Sequence, residues 1–263
     1  MTELSVLGVD LASRSWVDNG TAILRFDVID SPSCWLEYQL GVIPWPARCI
    51  DAHCMAEAIE RFVIEEGIAA TSLDGPQGWR EPNVPATRLG VGRLCELEAR
   101  TQGKTGEYGR TYPRNQRPWI EFCIDVFAEL ALGGKAILVN DVSVTRLPPP
   151  PSGKYYLLEC FPTSIWRTSG LPTLPGKQNA TPQIVTARAN QLVDAYGLPP
   201  IKLGTLTHDN LQALVGSLPA AALLGGASVA VPRGKPASWP ARGQTQHMLE
   251  GIIWDCKPLP AAP

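Results

Sequence analysis

Four acidic residues occupy positions that folding could bring together. Asp10, Asp74 and Glu159 each end a short apolar run typical of a buried strand, and Asp209 lies in the first turn of a late helical pattern. In open α/β sheets, ligands bind beyond the carboxyl ends of the strands, so acids from distant positions can converge there. Carboxylates held together repel unless a cation neutralises them, and their oxygens suit Mg²⁺ or Mn²⁺. These acids are therefore candidates for a divalent-metal site.

Each acid taken alone also has a simpler interpretation. Asp10 could begin a turn, and Asp74 could do the same before Gly75, since Asp bonds to backbone amides nearby. Asp209 could serve only the helix dipole, where a carboxylate is favourable by under ~1 kcal/mol. The recurrence of acids at strand ends favours the metal site over three unrelated local roles.

The helical pattern around Asp209 has two apolar faces. One is a stripe of larger residues, and the other is a small-residue face formed by Ala213, Gly216 and Ala220, on the same side as Asp209. Small residues let a helix lie close to a sheet, which could bring Asp209 toward the end of the first strand. Ordinary tight packing would give the same pattern.

The pattern of strands and helices that must position these residues predicts a mixed α/β sheet. Strands are expected over residues 5–10, 21–28 and 35–43, and their short spacing favours antiparallel hairpins. Asp51 is expected to cap a helix that runs through Glu66, before a fourth strand over 68–74. A fifth strand is expected over 155–159, and further helices near 88–100, 118–132, 181–196 and 207–224.

The last third of the chain carries two less regular patterns. Residues 210–232 are uncharged for long enough to suggest a membrane span, but their glycines and Pro219 favour a buried helix, kinked or broken at the proline, and then a short strand. We expect residues 233–244 to form a surface loop and residues 250–254 to return as an edge strand. No repeat or clean linker divides the chain. We therefore expect one domain over 1–263, with an insertion over about 80–150 and a C-terminal extension over about 227–263.

Four segments together resemble a domain-of-unknown-function family of predicted nucleases with a ribonuclease H-like fold. They are Gly8-Val9-Asp10, Leu73-Asp74-Gly75-Pro76-Gln77-Gly78-Trp79, Glu159-Cys160-Phe161-Pro162 and His208-Asp209-Asn210-Leu211-Gln212-Ala213-Leu214. The resemblance implies a sheet of three antiparallel strands followed by parallel strands, flanked by helices. It also implies that Asp10, Asp74 and Asp209 are the metal ligands.

The chain departs from that family at two places. Many relatives have a His-Pro-Glu triplet after the fifth strand, where this chain reads Phe161-Pro162-Thr163, which leaves Glu159 the weakest ligand candidate. Relatives tend to have paired acids where this chain has His208 before Asp209. His208 could shuttle protons, or it could simply bond to backbone at the helix start.

The central insertion is basic. Residues 80–117 hold eight basic residues against four Glu, and Trp79, Tyr108, Tyr112 and Trp119 lie among or beside them. Basic groups contact phosphates and aromatic rings stack on unpaired bases, although a solvated, Glu-paired helix face would look similar. The candidates for substrate binding are Arg80, Arg88, Arg93, Lys104 and Arg110, joined by Lys177 nearer the later acids.

Composition and missing motifs exclude several classes of protein. Apolar residues make up 44% and charged residues 18% of the 263, enough for a folded core, and the net charge of −2 excludes a uniformly basic nucleic-acid coat. Seven Cys without disulfide-framework spacing, and no leader-like start, favour reduced thiols and a cytoplasmic location. No complete phosphate loop, dinucleotide fingerprint or zinc-ligand pattern is present.

The leading hypothesis is a nuclease that depends on Mg²⁺ or Mn²⁺ and hydrolyses phosphodiester bonds of nucleic acid, DNA or RNA. One alternative is an ATP-binding enzyme related to sugar kinases and actin-like ATPases, because residues 8–13 resemble their first phosphate segment. A second Gly-rich phosphate segment and a longer, two-lobed chain are missing. Another alternative is a nucleic-acid-binding module that has lost catalysis. The sequence leaves the oligomeric state open.

Overall fold

The fold is built around one central sheet. A computed structural model describes residues 2–28, 34–47, 50–82, 91–201, 206–240 and 247–259. The strands are β1 (Thr2–Asp10), β2 (Gly20–Val28), β3 (Cys34–Leu40), β4 (Ala70–Asp74), β5 (Gly78–Trp79), β6 (Lys104–Thr105), β7 (Thr111–Tyr112), β8 (Ala136–Leu138), β9 (Tyr155–Cys160), β10 (Ser228–Ser238) and β11 (Met248–Pro258). The helices are α1 (Ala52–Glu65), α2 (Leu94–Glu98), α3 (Arg117–Leu132), α4 (Pro162–Thr168), α5 (Pro182–Tyr196) and α6 (His208–Leu223).

The strand order confirms the predicted mixed sheet. Within the described chain, the main path is β3-β2-β1-β4-β9-β11-β10, with β5 paired to β11 and β8 to β9. The first three strands are antiparallel neighbours. Strands β1, β4, β9 and β11 are parallel, and β10 returns antiparallel at the edge. The carboxyl ends of β1, β4 and β9 therefore lie at the same edge of the sheet.

Helices cover both faces of this sheet. Val6 of β1 packs into one hydrophobic cluster with α5 and α6, and the next residue, Leu7, packs into the opposite cluster with α1 and α3. Both side chains are fully buried. A strand buried on both faces reads as a continuous apolar run, which is why the sequence around β1 shows no alternation.

Local signals set the helix ends where the sequence predicts them. The Asp51 side chain accepts a hydrogen bond from the Cys54 amide and caps α1. Thr181 caps α5 in the same way, and Gly197 ends that helix in the left-handed conformation. Helix α6 continues through Pro219, so the predicted break there is wrong.

Three further expectations need correction. Residues 233–238 are not a loop but part of β10, because an edge strand tolerates prolines such as Pro232 that cannot donate to a neighbour. Strand β11 is not an edge strand, since it lies between β9 and β10. The helix expected over 88–100 is only the short α2, and residues 83–90 lie outside the described residues.

The uncharged stretch 210–232 forms the buried helix α6 followed by the start of β10, as the composition predicts. Helix α6 is buried along most of its length within the protein itself. Across the described ranges, no helix combines the length and the apolar character needed to cross a bilayer.

Candidate metal centre

Two of the predicted acids are direct neighbours in the sheet. Strands β1 and β4 are parallel and in register, so Asp10 lies opposite Asp74 at the end of both strands. Burial, followed by the charge of Asp74, raises the pKa of Asp10 well above its ordinary value. Burial and the charge of Glu159 raise the pKa of Asp74 to about 7. The two carboxyls therefore form a pair that is poorly neutralised by protein groups.

Two glycines in the sheet let α6 bring Asp209 to this pair. A Cβ on Gly8 would lie 1.9 Å from the carbonyl oxygen of Ala213, and a Cβ on Gly20 would lie 2.0 Å from that of Asp209. Helix and strands thus approach at distances that any side chain at these positions would prevent. The Thr21 amide also donates to Asn210 Oδ1 at 3.1 Å, which fixes the first turn of α6 against β2.

The result is a compact set of possible metal ligands. One ligand atom each from Asp10, His208 and Asp209 lies within 4.8 Å of the other two. Asp74 lies outside this mutually close set but beside Asp10 across the strand pair. The structure therefore brings Asp10 and Asp209 together with Asp74 adjacent, and it adds His208 to the group.

His208 is oriented by two partners. Its Nε2 lies 3.1 Å from the carbonyl oxygen of Pro175, and its Nδ1 lies 2.9 Å from Asp209 Oδ1. A carbonyl oxygen and an ionised carboxylate both only accept, so both ring nitrogens donate and the contacts favour the protonated, positively charged ring. To bind a metal ion, His208 would release the Nδ1 proton and coordinate through that nitrogen, while Nε2 keeps its bond to Pro175. A histidine ligand held by its second nitrogen in this way is a common arrangement in metal sites.

The cationic side chains at the cluster contact Asp209. Lys177 Nζ donates to Asp209 Oδ2 at 2.6 Å and to Asp18 Oδ1 at 2.9 Å. Burial would raise the pKa of Asp209, but hydrogen bonds from His208 and Lys177 outweigh it and hold that pKa below the ordinary value. Burial would lower the pKa of His208, and its bonds to Asp209 and Pro175 raise it instead.

The donor set fits a divalent cation. Carboxylate oxygens suit Mg²⁺ and Mn²⁺, and a single imidazole is compatible with Mn²⁺ and its transition-metal neighbours. Asp10 and Asp74 have raised pKa values because burial disfavours their charged forms and nearby carboxylates repel them. A bound divalent ion would supply the missing positive charge.

Glu159 is held in a different environment from the other acids. Arg93 donates to both of its oxygens, Nη2 to Oε1 at 2.6 Å and Nη1 to Oε2 at 2.8 Å, and the Gln77 amide donates to Oε2 at 3.0 Å. Burial raises the pKa of Glu159, and Arg93 partly offsets this. The carboxylate is therefore already neutralised by a bidentate ion pair, and its predicted role as fourth ligand or base remains a prediction.

Arg93 sits at the centre of a buried network that ties the insertion to the sheet. Its Nε donates to Glu96 Oε1 at 3.0 Å and to Thr105 Oγ1 at 2.8 Å. The Glu250 carboxylate of β11 accepts from the amides of Glu81 and Leu94 at 3.0 and 3.3 Å. The sequence places Glu159 at the end of a buried strand but does not identify its partner, because Arg93 is far away in the chain and lies among the other basic residues of the insertion.

The other basic residues named from the sequence are dispersed. Arg80 and Arg93 are buried, and contact between Arg93 and a substrate phosphate would require its ion pair with Glu159 to open. Lys104 Nζ donates to backbone carbonyls of Glu96 and Thr101, whereas Arg110 is well exposed. Lys177 lies beside the acid cluster, and Arg88 lies outside the described residues.

A cavity of about 340 Å³ opens next to the acids. Asp74 and His208 line one side of it, and residues 101–103, Gln116 and Trp119 of the insertion line the other. The loop after β9, including Phe161, completes the wall. The acids are thus positioned beside a pocket large enough for part of a small organic ligand.

This chain shows little sequence similarity to known proteins. No protein-family model matches the chain, and no curated protein sequence matches it. Among solved structures, a RuvC structure from Thermus thermophilus is similar with 11% sequence identity and a TM-score of 0.31, covering 82% of this chain and 92% of that one.

Proposed function

We propose that this chain is a divalent-metal-dependent nuclease that hydrolyses phosphodiester bonds of nucleic acid. The observation that carries the proposal is the meeting of Asp10, His208 and Asp209 within 4.8 Å, with Asp74 next to Asp10 on the adjoining strand. These residues come from three distant parts of the sequence, which a purely local role for each acid would not require.

The sheet supports a ribonuclease H-like fold for this nuclease. Three antiparallel strands, β3-β2-β1, are followed by the parallel strands β4 and β9, which is the arrangement implied by the family resemblance. The acids stand at the carboxyl edge of β1 and β4, where ligands of open α/β sheets bind. The helix that carries Asp209 reaches this edge by lying directly on β1 and β2.

The roles of the residues follow from their positions. Asp10, Asp74 and Asp209 would hold Mg²⁺ or Mn²⁺, with His208 as a further ligand. When bound, such an ion activates a water and neutralises charge on the phosphodiester. Lys177 lies within reach of the same carboxylates and would contact a substrate phosphate, as would the exposed Arg110 on the insertion.

The proposal is tested by changing one ligand without changing its shape. Asp10→Asn retains the size of the side chain and removes a charge from an acidic pair, so the fold should be kept. Metal-ligand loss should reduce cleavage at least about 100-fold, since even changes to outer-shell partners reduce metal function by about 10–100-fold. Cleavage of labelled DNA and RNA oligonucleotides in Mg²⁺ and in Mn²⁺ is the measurement.

Asp194→Asn is the matched control, because Asp194 is exposed on α5 and removed from the cluster. This variant should cleave like the unchanged protein. Equal cleavage by the Asp10→Asn variant would contradict the proposal. Salt-sensitive oligonucleotide binding without cleavage in either metal would favour the non-catalytic binding module instead.

A further inference from the structure

The cavity beside the acid cluster has walls suited to an aromatic ring. Trp119 and Phe161 are partly exposed on its lining, and Ile120 and Ile253 add buried apolar surface. Trp119 Nε1 donates to the carbonyl oxygen of Leu11 at 2.8 Å. The indole is therefore held in position close to the end of β1, beside the acids, before any ligand enters.

Two amide side chains on the lining have unused hydrogen-bonding capacity. Gln116 Oε1 is buried and has no hydrogen-bond partner among the described residues. Gln212 Oε1 accepts from Trp166 Nε1 at 3.0 Å, which fixes the orientation of that amide because an indole can only donate. Within the described chain, Gln212 Nε2 has no acceptor, so the two amides that line the cavity leave one acceptor and one donor without a protein partner.

The charges on the lining disfavour an anion inside the cavity. Within the described lining, Glu159 and Glu96 are paired with Arg93, each of whose three nitrogens donates to a protein oxygen. The other charged groups of that lining are Asp74 and His208, and His208 is paired with Asp209. A phosphate therefore meets no unpaired cation among the described lining residues, whereas a neutral ring with hydrogen-bonding edges meets both aromatic walls and amides.

From this geometry we infer that the cavity binds the base of an unpaired nucleotide of the substrate, which makes the enzyme selective for single-stranded or locally unpaired nucleic acid. This inference rests on the proposed nuclease function. A volume of about 340 Å³ lies at the lower end of the range for small-ligand pockets, which suits one base. A base inside a duplex would first have to leave the stack, which costs a few kcal/mol and slows the reaction.

The first test compares cleavage of matched substrates. A single strand, its duplex, and the same duplex with one bulged nucleotide are incubated with the protein and Mn²⁺, as DNA and as RNA. We expect the duplex to be cleaved at least about tenfold more slowly than the strand, with cuts in the bulged duplex beside the unpaired nucleotide. A bulge that lacks its base should behave like the intact duplex. Equal cleavage of strand and duplex, or of the two bulges, would overturn the inference and leave the nuclease proposal intact.

The second test measures binding and does not depend on catalysis. Nucleoside 5′-monophosphates should bind and perturb tryptophan fluorescence, while ribose 5-phosphate should not. Gln116→Leu should weaken nucleotide binding by about five- to tenfold, the effect of one lost hydrogen bond. The Gln116 side chain caps no helix, so the fold should tolerate the change, and the exposed neighbour Asn115 supplies the control Asn115→Leu.

The two tests separate failure of the inference from failure of the proposed function. Nucleotide binding that depends on Gln116, without cleavage of any substrate, would support the pocket and refute the nuclease. Cleavage with no preference for unpaired substrate, together with equal binding of ribose 5-phosphate and nucleotides, would refute the pocket alone.

Discussion

Replacement of Arg93 by methionine removes the only described partner that neutralises Glu159. Both side chains are buried, with exposed fractions of 1% and 3%. In the variant Glu159 keeps only the hydrogen bond from the Gln77 amide, while Glu96 keeps its bonds from Thr105. Both carboxylates lose the cation that pairs with them, and Glu159 keeps fewer hydrogen bonds than Glu96. Breaking buried ion pairs in this way costs about 3–5 kcal/mol of unfolding free energy.

The destabilisation should depend on pH. Burial already raises the pKa of Glu159, and loss of Arg93 raises it further. Below about pH 4.5, the ordinary pKa of glutamate, the carboxyl is neutral in both the folded and the unfolded chain and the loss is smallest. The variant and the unchanged protein share the same unfolded state, so the change in the loss depends on their two folded-state pKa values for Glu159. The loss grows as pH rises above the folded-state pKa of Glu159 in the unchanged protein, which is itself raised, because there the carboxyl paired with Arg93 ionises and the carboxyl without Arg93 does not.

Urea unfolding at pH 5 and pH 8, followed by tryptophan fluorescence, measures this effect against the unchanged protein. Glu159→Gln added to Arg93→Met removes the buried charge and keeps an oxygen that accepts from Gln77. This double variant should recover the part of the lost stability that belongs to Glu159 and show a smaller pH dependence, while Glu96 still lacks its cation. A single variant whose loss is equal at both pH values, or a double variant no more stable than the single, would refute the reasoning.

Two further predictions concern the acid cluster. Gly20→Ala places a Cβ 2.0 Å from the carbonyl oxygen of Asp209, which forces the first turn of α6 outward by about 1 Å or more. Cleavage should fall by up to about 100-fold. The control is Gly133→Ala at the end of α3, whose added Cβ would meet no atom nearer than 3.3 Å and which should cleave normally. Unchanged cleavage by both variants would contradict the assigned contact. Lys177→Met removes a competing cation from Asp209 and should tighten Mn²⁺ binding, measured by calorimetry, by up to about fivefold. Lys154→Met, on an exposed turn, should leave it unchanged, and weaker Mn²⁺ binding after loss of Lys177 would show that this lysine assists the site.

Sequence patterns predict those contacts of the candidate site that follow directly from regular secondary structure. Asp10 and Asp74 end apolar strands, and parallel pairing puts such residues side by side without further information. The small residues on α6 predict that this helix lies close to the sheet, which brings Asp209 near the end of the first strand. The structure shows the complementary cause on the sheet, since Gly8 and Gly20 provide the space that the helix occupies.

The remaining features depend on contacts that no local pattern encodes. The Arg93–Glu159 pair joins residues from the insertion and from β9. The apolar run before Glu159 indicates that it ends a buried strand, but nothing around Arg93 distinguishes a buried charge from an exposed one. The sequence predicts a short strand before residue 233 and a loop from that residue on, because the glycine and proline of the second part of β10 are typical of loops. Its pairing with β11 and its edge position explain why those residues are tolerated there.

The position of β11 in the chain constrains the order of assembly during synthesis. Every strand that pairs with β11 is translated before it, and Glu250 on β11 receives bonds from Glu81, Leu94 and Arg93. A nascent chain whose β11 is still inside the ribosome therefore exposes part of the edge of β9 and lacks the anchor of the insertion. Unpaired strand edges promote aggregation, so this interval is when the protein most needs a chaperone.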